Sequence, residues 1–105
     1  MVILRQQMRS KSERTDDVLA ALAAIIPVAR ATQGVISLDI ARDILDPDSF
    51  VATGVYEDGA ALERQESAPE VHRAMAMFSE ALAALPDRTI YDASHERGSS
   101  SGQTS

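Results

Sequence analysis

The chain has 105 residues and no cysteine, which excludes disulfides, thiolate metal sites and cysteine nucleophiles. It has no tryptophan, two phenylalanines and two tyrosines, too few and too scattered to form a base-stacking platform on a sheet. Its five glycines match neither a dinucleotide fingerprint nor a phosphate-cradling loop, so nothing points to a flavin, a nicotinamide or any other cofactor. Two histidines, His72 and His95, with no cysteine beside them do not build a metal cluster, and Asp46 and Asp48 fit a turn better than a cation site. Basic residues are outnumbered ten to sixteen and are spread from Arg5 to Arg97; with a net charge of −6, nucleic acid is not an expected partner. No apolar run approaches the ~18 residues of a membrane span. The richest stretch, residues 18–29, is amphipathic and contains Pro27, and the N-terminus lacks the long apolar run of a signal peptide. These absences leave a single cytoplasmic domain with no membrane partner.

What is present is a change of hydrophobic period along the chain. Residues 2–9 alternate, with Val2, Leu4 and Met8 opposed to Arg5, Gln7 and Arg9, the pattern of a half-buried strand. Over residues 13–32 the period becomes helical: Val18, Leu22, Ile25 and Ala29 form a stripe that Leu19 and Ile26 widen. Ser10 with Glu13, or Ser12 itself, is the candidate cap. Pro27 kinks this helix or starts its last turn, and Gly34 stands where a C-cap belongs. Residues 35–43 and 50–56 are strands joined at Asp46-Pro47-Asp48-Ser49, with proline at the second position of a type I turn. A short helix is expected over residues 58–66. A longer one, with Ser67-Ala68-Pro69-Glu70 as its capping box, carries Val71, Met75, Phe78, Leu82 and Leu85 and stops at Pro86-Asp87. Residues 88–93 make the last strand. Residues 94–105 are rich in serine and glycine and contain no apolar residue, so a flexible tail follows a domain of residues 1–93.

The order βαββαβ implies an α+β, ferredoxin-like unit: a four-stranded antiparallel sheet with its helices on one face. In sequence alone, Ile3, Val35, Val51 and Val55 compete with Phe50, Tyr56 and Ile36 for the covered side. Either outcome leaves apolar side chains on the uncovered face, which predicts a homodimer through that face. A small domain gains stability from such pairing.

The run from Leu45-Asp46-Pro47-Asp48-Ser49-Phe50-Val51 through Val55-Tyr56-Glu57-Asp58-Gly59-Ala60-Ala61-Leu62 resembles the antibiotic biosynthesis monooxygenase superfamily, as do Ser67-Ala68-Pro69-Glu70-Val71-His72 and Leu82-Ala83-Ala84-Leu85-Pro86. The resemblance implies a dimeric α+β barrel and, by similarity, a cofactor-free monooxygenase acting on a small phenol- or quinol-like aromatic. Many members carry Glu two residues before a Trp on the third strand, where this chain has Gly54 and Tyr56; Gln65 stands where His is common. The haem-degrading branch relies on Asn and Trp, and this chain has neither.

Chemistry of that class needs a base, one or two donors and an apolar pocket. His72 is the candidate base, at the border of the apolar stripe and with an imidazole suited to proton transfer near neutrality. Tyr56 is the candidate donor; both are the proposed catalytic residues. Met75, Phe78 and Gln65 are the candidate substrate-binding residues. Each has a plainer reading, as a helix-border histidine, a core tyrosine or core filling. The alternative for the whole chain is a non-catalytic ligand-binding or regulatory dimer on the same fold.

Overall fold

A computed structural model describes residues 1–93; the tail expected over residues 94–105 lies outside the described residues. The elements are β1 (Val2–Arg9), a 3-10 turn (Ser12–Arg14), α1 (Thr15–Ala31), β2 (Val35–Arg42), β3 (Ser49–Tyr56), α2 (Gly59–Glu66), α3 (Pro69–Ala81) and β4 (Asp87–Asp92). The sheet order is β2-β3-β1-β4 and every pair is antiparallel. α1 crosses from β1 to β2 over the intervening β3, which gives the ferredoxin-like α+β topology.

Register decides the competition between the two faces. Leu4 pairs with Gly54, Gln6 with Ala52 and Met8 with Phe50, so these residues share one face, with Leu38 of β2 beside them. Leu4, Met8, Leu38, Phe50, Ala52 and Tyr56 are buried there under the helices. Each large apolar side chain so covered contributes about 1.5–3 kcal/mol relative to exposure. Ile3, Val51 and Val55 fall on the other face, where Tyr91 pairs with Ile3. A register shift between Val35 and Ser37 interrupts β2 and leaves Ile36 exposed.

α1 buries Val18, Leu22, Ile25 and Ala29, the stripe its period predicts, whereas Leu19 is exposed. Pro27 sits inside the helix, which continues to Ala31 despite the lost backbone donor. Gly34 follows with φ +88°, a left-handed turn residue, and a Cβ there would meet that of Ala61 at 2.7 Å.

Neither Ser10 nor Ser12 caps α1 in the expected way; no side chain caps it. The two serines and Thr15 instead gather round Asp48 from the β2–β3 turn. Ser12 Oγ donates to Asp48 Oδ2 at 2.9 Å, Thr15 Oγ1 donates to Oδ1 at 2.6 Å, and Ser10 Oγ lies 2.6 Å from Thr15 Oγ1. These bonds, Thr15's first, hold the Asp48 carboxyl below the usual carboxylate range. The turn itself is closed by Ser49 N donating to Asp46 O at 3.0 Å, while Asp46 also pairs with Arg9 at 2.9 Å.

The capping box expected at residues 67–70 does not form: Ser67 Oγ donates back to Glu63 O at 2.7 Å, and Ala68 stands at the N-cap with Pro69 in the first turn. α3 also ends at Ala81, four residues before Leu85. Lys11 N donates to Ala81 O and Ala83 N to Arg9 O, both at 2.8 Å, and Ser10 forms a bridge with Leu82. Backbone groups that would have continued the helix are taken by the end of β1. Leu85, the last member of the expected stripe, is 94% exposed.

Candidate ligand cleft and active site

α1 lies over β2 and against α3, but above β4 the helices do not close onto the sheet. The gap is a cleft of about 480 Å³, walled by Met75, Phe78 and Leu82 of the α3 side, Leu85 and Pro86 of the following loop, and Gln6 and Arg88 of the sheet. Behind it lies a smaller cavity of about 60 Å³ between the sheet and the three helices. Leu22, Leu38, Ala52 and Val71 supply its aliphatic wall, and Gln65 and Glu66 its polar side. Gln6, Met75 and Phe78 border both spaces.

The polar groups converge where the two spaces meet. Arg88 of β4 makes a forked pair with Glu66 at the end of α2, Nη1 to Oε2 at 2.6 Å and Nη2 to Oε1 at 2.9 Å, and also donates to Gln6 Oε1 at 3.3 Å. The Glu66 carboxylate holds the Arg88 guanidinium firmly in its charged form. Tyr56, fully buried, donates its hydroxyl to Gln65 Oε1 at 3.0 Å. Burial pushes the Tyr56 phenol above its ordinary value, and the bond to Gln65 opposes that rise only in part, so the group is a neutral donor at pH 7. Gln65 is itself buried, and its amide nitrogen has no hydrogen-bond partner among the described residues.

Gly54 is what allows Tyr56 this position. The ring lies back across the strand, so that a Cβ on Gly54 would stand 2.6 Å from Cε2 and 2.7 Å from Cζ, and would also strike the hydroxyl. α2, which presents Gln65, is capped by Asp58, whose Oδ1 accepts from Ala61 N at 2.9 Å.

Of the residues singled out in the sequence, the structure brings Tyr56 and Gln65 into direct contact and sets Met75 and Phe78 in the wall between the two spaces. His72 is not with them. It lies on the exposed side of α3, one helical turn before Met75, and lines neither the cleft nor the cavity. Sequence reasoning missed Gln6, Glu66 and Arg88. Gln6 had a legible signal: it is the polar residue between Leu4 and Met8 on the covered face of β1. Glu66 and Arg88 had none, being 22 positions apart. Among the described residues no group of three or more His, Asp or Glu is placed to hold a metal, and no helix is long and apolar enough to cross a membrane.

Comparison with solved structures places this geometry among known proteins. One described as an antibiotic biosynthesis monooxygenase superposes with a TM-score of 0.82 at 22% identity, covering 88% of this chain and 97% of that one. A Mycobacterium tuberculosis protein gives 0.81 at 21% identity, covering 87% and 92%. A Pseudomonas aeruginosa protein gives 0.80 at 20%, covering 86% and 90%. At these identities the likeness establishes the fold. A comparison with curated protein sequences finds no match. The sequence pattern of one family, however, matches residues 1–77, which takes in β1 through most of α3 with Gln6, Tyr56, Gln65, Glu66 and Met75, and stops before Phe78 and Arg88. The chain belongs to the antibiotic biosynthesis monooxygenase family.

Proposed function

We propose that the protein is a cytoplasmic homodimer that oxygenates a small phenol- or quinol-like aromatic without a cofactor, with the ring bound in the outer cleft. The observation that carries this reading is the cleft itself: about 480 Å³, largely apolar, with the Arg88 guanidinium and the Gln6 amide on its wall. That volume lies within the ~300–1,000 Å³ usual for small-molecule sites. A cation beside the ligand favours its ionised hydroxyl, and a phenolate is electron-rich enough to reduce dioxygen directly. The ring carbon forms a bond to oxygen, giving a peroxide. The O–O bond then breaks as the ring hydrogen leaves as a proton. One oxygen stays as a quinone carbonyl and the other departs as water, so the organic substrate supplies all the electrons. In this scheme Arg88 holds the anion, His72, outside the cleft and one helical turn from Met75, takes the hydroxyl proton through a solvent water, and Tyr56 fixes Gln65 so that its amide nitrogen stays available inside. The uncovered sheet face, bearing Ile3, Val51, Val55 and Tyr91, is where a second copy would pack.

Incubation with a panel of hydroquinones and naphthols, with and without oxygen-18 dioxygen, tests the reading. The expected result is oxygen-dependent loss of substrate with label in the product. Arg88→Gln should lower kcat/KM by about 10²-fold, the usual effect of deleting one stabilising donor. His72→Ala should lower it by about 10²-fold, the lower end for a general base. Equal substrate loss in both atmospheres, or unlabelled product, overturns it. The second reading, a non-catalytic ligand-binding dimer, is favoured by two facts: the Tyr56 hydroxyl is committed to Gln65, and His72 lines neither space. Saturable binding without turnover, unchanged by His72→Ala, supports that one.

A further inference from the structure

The two spaces differ in size and in wall chemistry. The outer cleft has room for a ring system. The inner cavity, at about 60 Å³, does not: a dry protein cavity that accepts benzene or xenon is about 150 Å³. Its wall is mainly the aliphatic side chains of Leu22, Ile25, Leu38, Ala52 and Val71, drawn from α1, β2, β3 and α3. Most of that wall offers a guest only apolar contact. The polar side chains on it are Gln6, Gln65 and Glu66; the Gln6 carbonyl and both Glu66 oxygens are engaged by Arg88, whereas Gln65, 4% exposed, has its carbonyl held by Tyr56 and its amide nitrogen left without a partner. A buried donor left unbonded is destabilising, and an acceptor generated inside the cavity would relieve that cost. The cavity shares Gln6, Met75 and Phe78 with the cleft, so a guest in one space lies one side-chain layer from a guest in the other.

We propose that the inner cavity is a dioxygen site, separate from the aromatic site in the cleft, with the Gln65 amide nitrogen as the donor facing reduced oxygen. The size admits a diatomic gas and excludes a ring, the wall favours an uncharged guest, and the Gln65 donor suits the anion that guest becomes on reduction. The inference rests on the oxygenase reading for its purpose, but the site itself is testable without turnover.

The experiment uses methyl-labelled protein and dissolved dioxygen, whose paramagnetism broadens nearby methyl resonances. Under oxygen pressure, against a nitrogen control, the methyls of Leu22, Leu38 and Val71 should broaden several-fold more than those of Val18, which is equally buried but outside the cavity. Ala52→Val adds two methyl groups at the cavity wall in a strand that tolerates β-branching. It should abolish the selective broadening and raise the KM for dioxygen several-fold while leaving the KM for the aromatic unchanged. Val71→Ile is the second filling variant if the first unfolds. Broadening no greater than at Val18, or confined to Leu82 and Leu85 in the cleft, overturns the site. Selective broadening with no turnover of any phenol sinks the oxygenase reading and leaves the gas site standing; turnover without selective broadening does the reverse.

Discussion

The covered strands of the sheet and its β4 edge meet the helices differently. Over β2 and β3, α1 and α3 press Leu22, Ile25, Ala29 and Phe78 against Leu38, Phe50 and Ala52, and all are buried. Leu4 and Met8 of β1 are buried as well, but β4 faces a cleft: Ile90 is 51% exposed on its covered side, and Arg88 has an ion pair above it instead of a helix. The helices cover three strands of a four-stranded sheet; the β4 edge is left as a site. The covered strands supply rigidity, with room among them only for the small inner cavity, and the open edge supplies access.

Several measurements would sharpen or break that contrast. The largest effect is expected at Phe50, buried under the helices near one end of β3: Phe50→Ala should cost about 3–5 kcal/mol in urea unfolding, against about 0.5 kcal/mol or less for Ile90→Ala on the open edge. Comparable costs would mean that the two regions are equally packed. Next is Gly54→Ala, which forces the Tyr56 ring off the strand and should cost about 1–3 kcal/mol. The same change in a Tyr56→Leu background should cost markedly less, because the clash is with the ring. Arg88→Gln should lower stability by less than about 1 kcal/mol, since the pair with Glu66 is partly solvated at 33% and 25% exposure. Its loss of kcat/KM should far exceed what that destabilisation explains. The smallest effect concerns acid. The Asp48 and Asp46 carboxyls are held below their ordinary value, Asp48 by Thr15 and Ser12 and Asp46 by Arg9. Their contribution is therefore complete above the unfolded-chain value of about 3.9 and is lost as pH falls through the lower folded values. Urea midpoints measured from neutral to acid pH should decline on that side, and Asp48→Asn should flatten the decline.

Elements were legible in this sequence wherever period and local chemistry agreed. Val18, Leu22, Ile25 and Ala29 announce a helix and its buried face together; Asp46-Pro47 announces a turn; Gly34 announces a left-handed residue. The end of α3 was not legible. Leu82, Ala83, Ala84 and Leu85 continue the helical pattern, yet Ala81 and Ala83 give their backbone bonds to Lys11 and Arg9, some 70 positions away. Ser67 read as a cap because Ser-x-x-Glu is a local pattern, but its hydroxyl found the carbonyl of Glu63 on the preceding helix. The site was legible in part for the same reason: Tyr56 and Gln65 lie nine positions apart on adjoining elements. The partners Glu66 and Arg88 meet only because β4 pairs with β1 at the sheet edge.

By itself the sequence determined which elements form, their order, and that it holds no cysteine and no dinucleotide or phosphate-loop pattern, because period, turn residues and composition are local properties. Only the tertiary structure decided which sheet face is covered, since a one-residue change of register exchanges the two faces. It alone also decided that His72 stands outside the cleft, and that Gln6 and Arg88 form its polar wall, with Glu66 bound to Arg88. Those outcomes depend on where strands and helices from distant parts of the chain come to rest, and no spacing along the chain records that.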